Sequence, residues 1–260
     1  MEPIIVSYIE KPKLRNPILV EGLPGIGNIG KIAADYLAEY LKATKFAHLY
    51  SKYFPPHVFI DENGITRMVN NEFYYYRGKN SEPDLIIVCG DYQGLTPEGQ
   101  YEIADCILKI IKNLGCKRVY TLAGYATRKV SGPYYVFGAA TTKKLADELK
   151  KYDVKFEREN ANESLIGASG LIIGLGYALY NLECACLMAE TSGYITDPRG
   201  AQELLKILSK ILNIPIDTGK LQDKAKELEL IASHLKGPFG EMLTGESSQK
   251  PSRSELDYIG

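Results

Sequence analysis

Three sets of side chains have the types and spacing for chemistry. Gly25-Ile26-Gly27-Asn28-Ile29-Gly30 matches G-x-G-x-x-G, a pattern whose glycines let the backbone approach a pyrophosphate at a helix N-terminus. A dinucleotide site of this kind needs an acidic residue about 20 positions on, at the end of the second strand, to hold the ribose. That strand reads Phe46-Ala47-His48-Leu49-Tyr50-Ser51, with no carboxylate, and Asp61 and Glu62 follow only after Pro55-Pro56. Pro24 also makes Gly22-Leu23-Pro24-Gly25 an unusual entry. The segment reads as a tight strand-to-helix turn with Gly22, Pro24, Gly25, Gly27 and Gly30 as structural residues. No cofactor is expected.

The second set is the titratable and nucleophilic groups. Asp91, Thr96 and Glu98 follow an apolar strand, at the end where open α/β sheets bind ligands. Helix capping and the favourable dipole position explain Thr96 and Glu98 equally well. His48, His57 and His234 lack metal-ligand spacing to one another or to cysteine, and Ala168-Ser169-Gly170 lacks the G-x-S-x-G elbow of a serine nucleophile. No catalytic residue is assigned and no metal is expected. Cys89, Cys106, Cys116, Cys184 and Cys186 are an odd set without paired C-x-x-C spacing. They read as packed thiols in a reducing cytoplasm.

The third set is aromatic. Nineteen tyrosines accompany no tryptophan. They cluster at Tyr50, Tyr53-Phe54, Tyr74-Tyr75-Tyr76 and Tyr134-Tyr135. Consecutive aromatics on a strand point to both faces, so Tyr74 to Tyr76 belong either to a sheet covered on both sides or to a subunit interface.

The elements that must position these groups alternate between strand and helix. Strands are expected at Pro17–Glu21, Lys45–Leu49, Val58–Ile60, Asp84–Cys89, Lys117–Leu122, Val154–Phe156 and Glu183–Glu190. A hairpin is expected between Ile65–Val69 and Glu72–Tyr76 through Asn70-Asn71. Helices are expected at Lys31–Leu41, Pro97–Leu114, Thr142–Tyr152, Leu165–Leu182, Pro198–Leu212 and Thr218–Leu235, with Thr96 and Asp197 as N-caps. The segment Leu165–Leu182 has no charge and four glycines, and reads as a helix buried on all sides rather than a membrane span. Such alternation predicts an α/β fold, a three-layer α/β/α sandwich around a mostly parallel sheet.

Composition narrows the function classes. The 260 residues carry 31 basic and 32 acidic side chains, 45% hydrophobic and 24% charged residues. This excludes a disordered or fibrous chain and argues against non-specific nucleic-acid binding. The N-terminus has no signal-peptide pattern, so a soluble cytoplasmic protein is expected, with no membrane and no nucleic-acid partner. Residues 1–236 read as one domain and 237–260 as a mobile tail, because Gly237 to Glu255 has almost no core-forming residue. The tail nevertheless ends Leu256-Asp257-Tyr258-Ile259-Gly260, an apolar tip with no core to join.

Leu19 to Gly30, Leu85 to Asp91, Leu122-Ala123-Gly124-Tyr125 and Gly167 to Leu175 together resemble the archaeal branch of the proteasome assembly chaperone family, related to the eukaryotic second assembly chaperone. The resemblance spans roughly residues 15–212. It implies a phosphorylase/hydrolase-like sandwich without catalytic role, in homo-oligomers whose C-terminal tails engage 20S proteasome α subunits or a second assembly chaperone. It places partner binding on Leu256, Tyr258, Ile259 and Gly260. The family's tail motif has a hydrophobe before a penultimate tyrosine; this chain has Asp257 before Tyr258 and two residues after it. The rival expectation is a nucleoside phosphorylase-like or hydrolase-like enzyme using the cleft near Asp91, since one fold hosts many functions.

Overall fold

The computed structural model describes residues 2–127, 134–156, 164–193 and 196–223. In chain order the elements are β1 (Ile4–Tyr8), β2 (Ile18–Gly22), α1 (Ile29–Tyr40), β3 (Thr44–Ser51), β4 (Val58–Ile60), β5 (Thr66–Met68), β6 (Asn71–Tyr76) and β7 (Leu85–Gly90). They continue with α2 (Pro97–Asn113), β8 (Arg118–Ala126), β9 (Val136–Ala140), α3 (Lys143–Lys150), α4 (Ala168–Tyr180), β10 (Glu183–Thr191) and α5 (Pro198–Leu212).

Eight strands form one sheet in the order β1-β3-β6-β7-β2-β8-β10-β9. Its centre, β7-β2-β8-β10, is parallel as expected. Both flanks are antiparallel: β6 pairs with β7, β3 with β6, β1 with β3, and β9 with β10. β1 and β9 were not foreseen, being short and half-covered edge strands.

Helices cover both faces, giving three layers. α1, α3 and α5 lie over Val20, Leu85, Ile87, Tyr120 and Leu187. α2 and α4 lie over Leu19, Phe46, Phe73, Ile86, Val88 and Val119. Successive residues of β2 and β7 thus face opposite cores, so a strand buried on both faces is apolar throughout. The same alternation divides the tyrosine run. Tyr75 is buried in the α2/α4 core, while Tyr74 and Tyr76 pack partly against the α1/α5 core. A sheet covered on both sides accounts for that cluster.

Three local expectations are corrected. The Asn70-Asn71 hairpin does not form: β6 inserts between β3 and β7, while β5 turns back on β4 in a separate two-stranded arm. The turn that closes the arm is held by Asp61, whose Oδ1 accepts from Asn63 N and Ile65 N at 2.9 Å each, an Asx turn that competes with the asparagine pair. α4 is not buried on all sides, since Ser169, Ile172 and Gly176 face inward while Gly174, Tyr177 and Leu179 face solvent. Val154–Phe156 contributes only an isolated bridge between Lys155 and Phe137. The last expected helix starts at residue 219; its remainder, His234 and the whole 237–260 tail lie outside the described residues.

Candidate functional site

The candidate site is the carboxyl end of the parallel strands, where the glycine turn, Asp91 and the β4–β5 arm come together. The turn runs from Gly22 through a 3-10 turn at Ile26–Asn28 into α1. A Cβ on Gly22 would lie 2.1 Å from the Gly30 carbonyl oxygen, and one on Gly30 2.1 Å from that of Leu122. Gly27 is left-handed at φ 62°, and its carbonyl accepts from Asp197 N at 2.8 Å. Strand β2, α1, β8 and the start of α5 are thus pressed together at backbone distance. Pro24 and the exposed Gly25 form the outer lip, and Gln93 Nε2 donates to the Pro24 carbonyl at 2.7 Å.

Gln93 also reaches α4: its Oε1 accepts from Ala168 N at 2.9 Å. Beneath lies Glu21, a carboxyl group with no solvent exposure on a central strand. One oxygen accepts from Leu23 N at 3.0 Å and the other from Ser169 Oγ at 3.3 Å. Thr121 Oγ1 donates to the Ser169 carbonyl at 3.3 Å. Burial raises the Glu21 pKa to about 8, more than these two hydrogen bonds lower it, so the group is mostly a neutral acid at pH 7.

Asp91 is committed to the arm. Arg67 Nη1 and Nη2 donate to its two oxygens at 2.6 and 2.9 Å, and Asn70 N donates at 3.0 Å. Burial works to raise its pKa, but the guanidinium and the amide hold it below the usual range. Thr96 Oγ1 accepts from Gly99 N at 3.1 Å as the α2 N-cap, and Glu98 accepts from Tyr53 OH at 3.0 Å. Both act as cap and first-turn acid.

Comparison with known proteins places this architecture. The PAC2 family model matches residues 19–236. The chain belongs to the PAC2 family. It is 38% identical over 248 residues to MJ1210 of Methanocaldococcus jannaschii, an uncharacterized protein, covering 95% of this chain and 93% of that one. Its fold is similar to Pyrococcus furiosus PbaB, an archaeal proteasome activator, with TM-score 0.87 and 35% identity over 91% of this chain and 100% of that one. Pyrococcus furiosus PbaA, an archaeal homolog of proteasome-assembly chaperone, matches with TM-score 0.74 and 28% identity over 89% and 91%.

The remaining reactive groups of this PAC2 chain are also engaged. His48 Nδ1 lies 3.1 Å from Asn70 Oδ1, and His57 stands edge-on between the rings of Phe59 and Tyr92. Cys89, Cys116, Cys184 and Cys186 are buried. Burial pushes the thiols of Cys106 and Cys116 up to about 11 and that of Cys184 to about 12, so they are poor nucleophiles at neutral pH. Among the described residues, no group of three or more His, Cys, Asp or Glu could hold a metal, and no helix is long and apolar enough to cross a membrane.

Sequence reasoning assigned no role to Gln93 or Ser169 and treated Glu21 only as the end of a strand. The available signal was a carboxylate inside an apolar strand, which must be neutralised or paired once both faces are covered. The assigned tail residues Leu256, Tyr258, Ile259 and Gly260 lie outside the described residues.

Proposed function

We propose that this protein is a non-enzymatic proteasome assembly chaperone or activator of the cytoplasm. In this reading residues 1–236 form the domain, and 237–260 form a tail that carries its docking residues. It works as a homo-oligomer, and Leu256, Tyr258, Ile259 and Gly260 of each copy dock on 20S proteasome α subunits. One observation carries the proposal: the 35% identity and TM-score of 0.87 to an archaeal proteasome activator, extending over 91% of the chain. Several tails on one particle raise one another's effective concentration once the first has docked, which makes a weak five-residue contact sufficient.

The geometry of the carboxyl end supports a binding role over the rival enzyme. Glu21 is enclosed, Asp91 is held by Arg67 and Asn70, and Gly30 packs against the Leu122 carbonyl. Those groups join elements to one another. The test is capture of 20S proteasome by the full-length chain and by the chain ending at Glu255. Capture that needs the last five residues is expected; equal capture by both forms overturns tail docking, and turnover of a nucleoside or ester by the full-length protein overturns the non-enzymatic reading.

A further inference from the structure

The two edges of the eight-stranded sheet are finished differently. On β9 the outer edge is taken up by the chain itself: Gly138 N donates to the Lys155 carbonyl at 2.7 Å, and Lys155 N to that of Val136 at 2.8 Å. Among the described residues, no segment does this for β1, which pairs with β3 alone. Ile9 N donates to the Phe46 carbonyl at 2.8 Å and Lys52 N to that of Pro3 at 3.0 Å. In an antiparallel ladder alternate residues turn their N–H and C=O to the same side. Pro3, Ile5, Ser7 and Ile9 therefore bond β3, while Ile4, Val6 and Tyr8 turn their backbone groups to the open edge. Such an edge is ordinarily blunted by a charge, a proline or a bulge. Ile4-Ile5-Val6-Ser7-Tyr8 has none of them, and Tyr8 is 46% exposed and the following Ile9 60%.

We infer that the open edge of β1 is the resting site of the C-terminal tip of the same chain, with Leu256 to Gly260 added as an antiparallel strand. Directly opposite residues of an antiparallel pair share a face. With Tyr258 opposite Val6, Leu256 stands opposite Tyr8 on the side where Ile4 and Val6 pack against the α2/α4 core. On the other side Ile259 stands opposite Ile5, whose partner in β3 is Tyr50. Asp257 stands opposite Ser7, whose partner is His48. Apolar residues thus meet apolar ones, and the carboxylate meets a hydroxyl that donates to it. Moving the tip by two positions either way sets Asp257 against Ile5 or Ile9, so the residue types favour this register.

Tethering selects this occupant over other extended segments. Tyr36 OH of α1 donates to the Asp217 carbonyl at 2.6 Å, which sets the root of the tail beside α1. That helix packs over β2, and four strand spacings, about 19 Å, separate β2 from β1. Residues 237–255 alone span roughly 24 Å as a coil. The tip is therefore held near β1 at an effective concentration on the order of millimolar, which an unlinked partner has to match. A five-residue strand pairs weakly, and the link supplies what the contact area lacks. Within the tail, Phe239 lies between proline and glycine, and Met242-Leu243 is an isolated pair, so the alternating tip is its strand-like stretch.

The inference rests on the proposed function in one respect. Leu256, Tyr258 and Ile259 are engaged both at β1 and in docking on α subunits, so each tail is either at rest or docked.

The test is disulfide trapping in the purified full chain, whose own Cys89, Cys116, Cys184 and Cys186 are buried. Ser7→Cys with Asp257→Cys places two thiols opposite each other in a pair without mutual backbone hydrogen bonds, where side chains stand closest. Under oxidised glutathione we expect an intrachain disulfide at least tenfold faster than for Lys143→Cys with Asp257→Cys, whose first site is exposed on α3 beside β9. Val6→Pro spares the ladder to β3, since the Val6 N–H points outward. Added to the first pair, it should slow trapping at least fivefold at an unchanged thermal midpoint. Trapping no faster than the Lys143→Cys control, trapping unmoved by Val6→Pro, or a disulfide between two chains each overturns the inference. Tail docking is judged separately, by 20S proteasome capture with the trapped chain. Loss of capture that returns on reduction supports both; capture retained while trapped overturns tail docking and leaves the resting strand standing.

Discussion

Glu21 is the residue on which the carboxyl end of the sheet converges, since its two oxygens bind the turn at Leu23 and helix α4 at Ser169. Its pKa lies near 8 in the folded protein against an ordinary value of 4.5. Between those values the folded state retains a proton that the unfolded state has released. By linkage, the Glu21 contribution therefore falls as pH rises from about 4.5 to about 8 and is constant beyond. Glu21→Gln removes the titration and leaves an amide oxygen to accept from Leu23 N. We expect its thermal midpoint to vary less with pH across that window than that of wild type, measured by calorimetry. An identical pH profile would show that Glu21 ionises as freely in the fold as out of it. Gly30 is the other sensitive residue. Gly30→Ala sets a methyl group 2.1 Å from the Leu122 carbonyl oxygen and should cost about 3 kcal/mol of unfolding free energy as α1 and β8 are forced apart. A denaturant midpoint within error of wild type would contradict that packing.

At the scale of elements, the arm and α4 behave in opposite ways. The arm is tied to the body by the Arg67–Asp91 ion pair, whose guanidinium is exposed and whose carboxylate is largely covered, together with the ring contacts of His57 to Phe59 and Tyr92. Arg67→Ala is expected to speed hydrogen exchange of the 58–68 amides by tenfold or more while shifting global stability by under about 1 kcal/mol, because no core residue is touched. Slow exchange in the variant would mean that His57, Phe59 and Tyr92 hold the arm without the cation. In α4, Gly174 stands mid-helix on the solvent side, and a Cβ there would meet nothing within 4 Å. Gly174→Ala should therefore stabilise the purified domain by about 1 kcal/mol, the ordinary difference between these residues inside a helix. A loss of stability would reveal a neighbour against that face.

For the molecule as a whole, the eight-stranded sheet separates two cores, with α1, α3 and α5 on one side and α2 and α4 on the other. Loops and helix starts that carry specificity in α/β folds gather at one end. Here that end carries the arm and the glycine turn. Gln202 Nε2 donates to Thr218 Oγ1 at 3.2 Å beside the start of α5. In the proposed homo-oligomer, several tails would act from one particle, as multivalent docking requires. Removing Leu256 to Gly260 is expected to leave mass and thermal midpoint unchanged while abolishing proteasome capture. A change in mass on truncation would place the tip in self-association instead.

The parallel centre of the sheet was legible in the sequence because Leu85–Cys89 and Cys184–Ala189 are continuous apolar runs, as a strand covered on both faces needs. Pro198–Leu212 was legible to the residue, since Asp197 and Pro198 start the helix by local chemistry that no tertiary contact alters. The glycine turn was legible as a turn, and the lack of a ribose carboxylate argued against a cofactor. The edge strands, the pairing of Val58–Ile60 with Thr66–Met68 as a separate arm and the inner face of α4 were not legible. A short strand or half-apolar helix carries the same pattern whether its partner is the next segment, a distant one or water, so pairing rather than periodicity fixes its place. Nor could spacing indicate that Glu21, Gln93 and Ser169 meet, 72 and 76 positions apart in succession. Tertiary structure decided that, by closing helical layers over a carboxyl group and leaving hydrogen bonds to Leu23 and Ser169 as the way to keep it there.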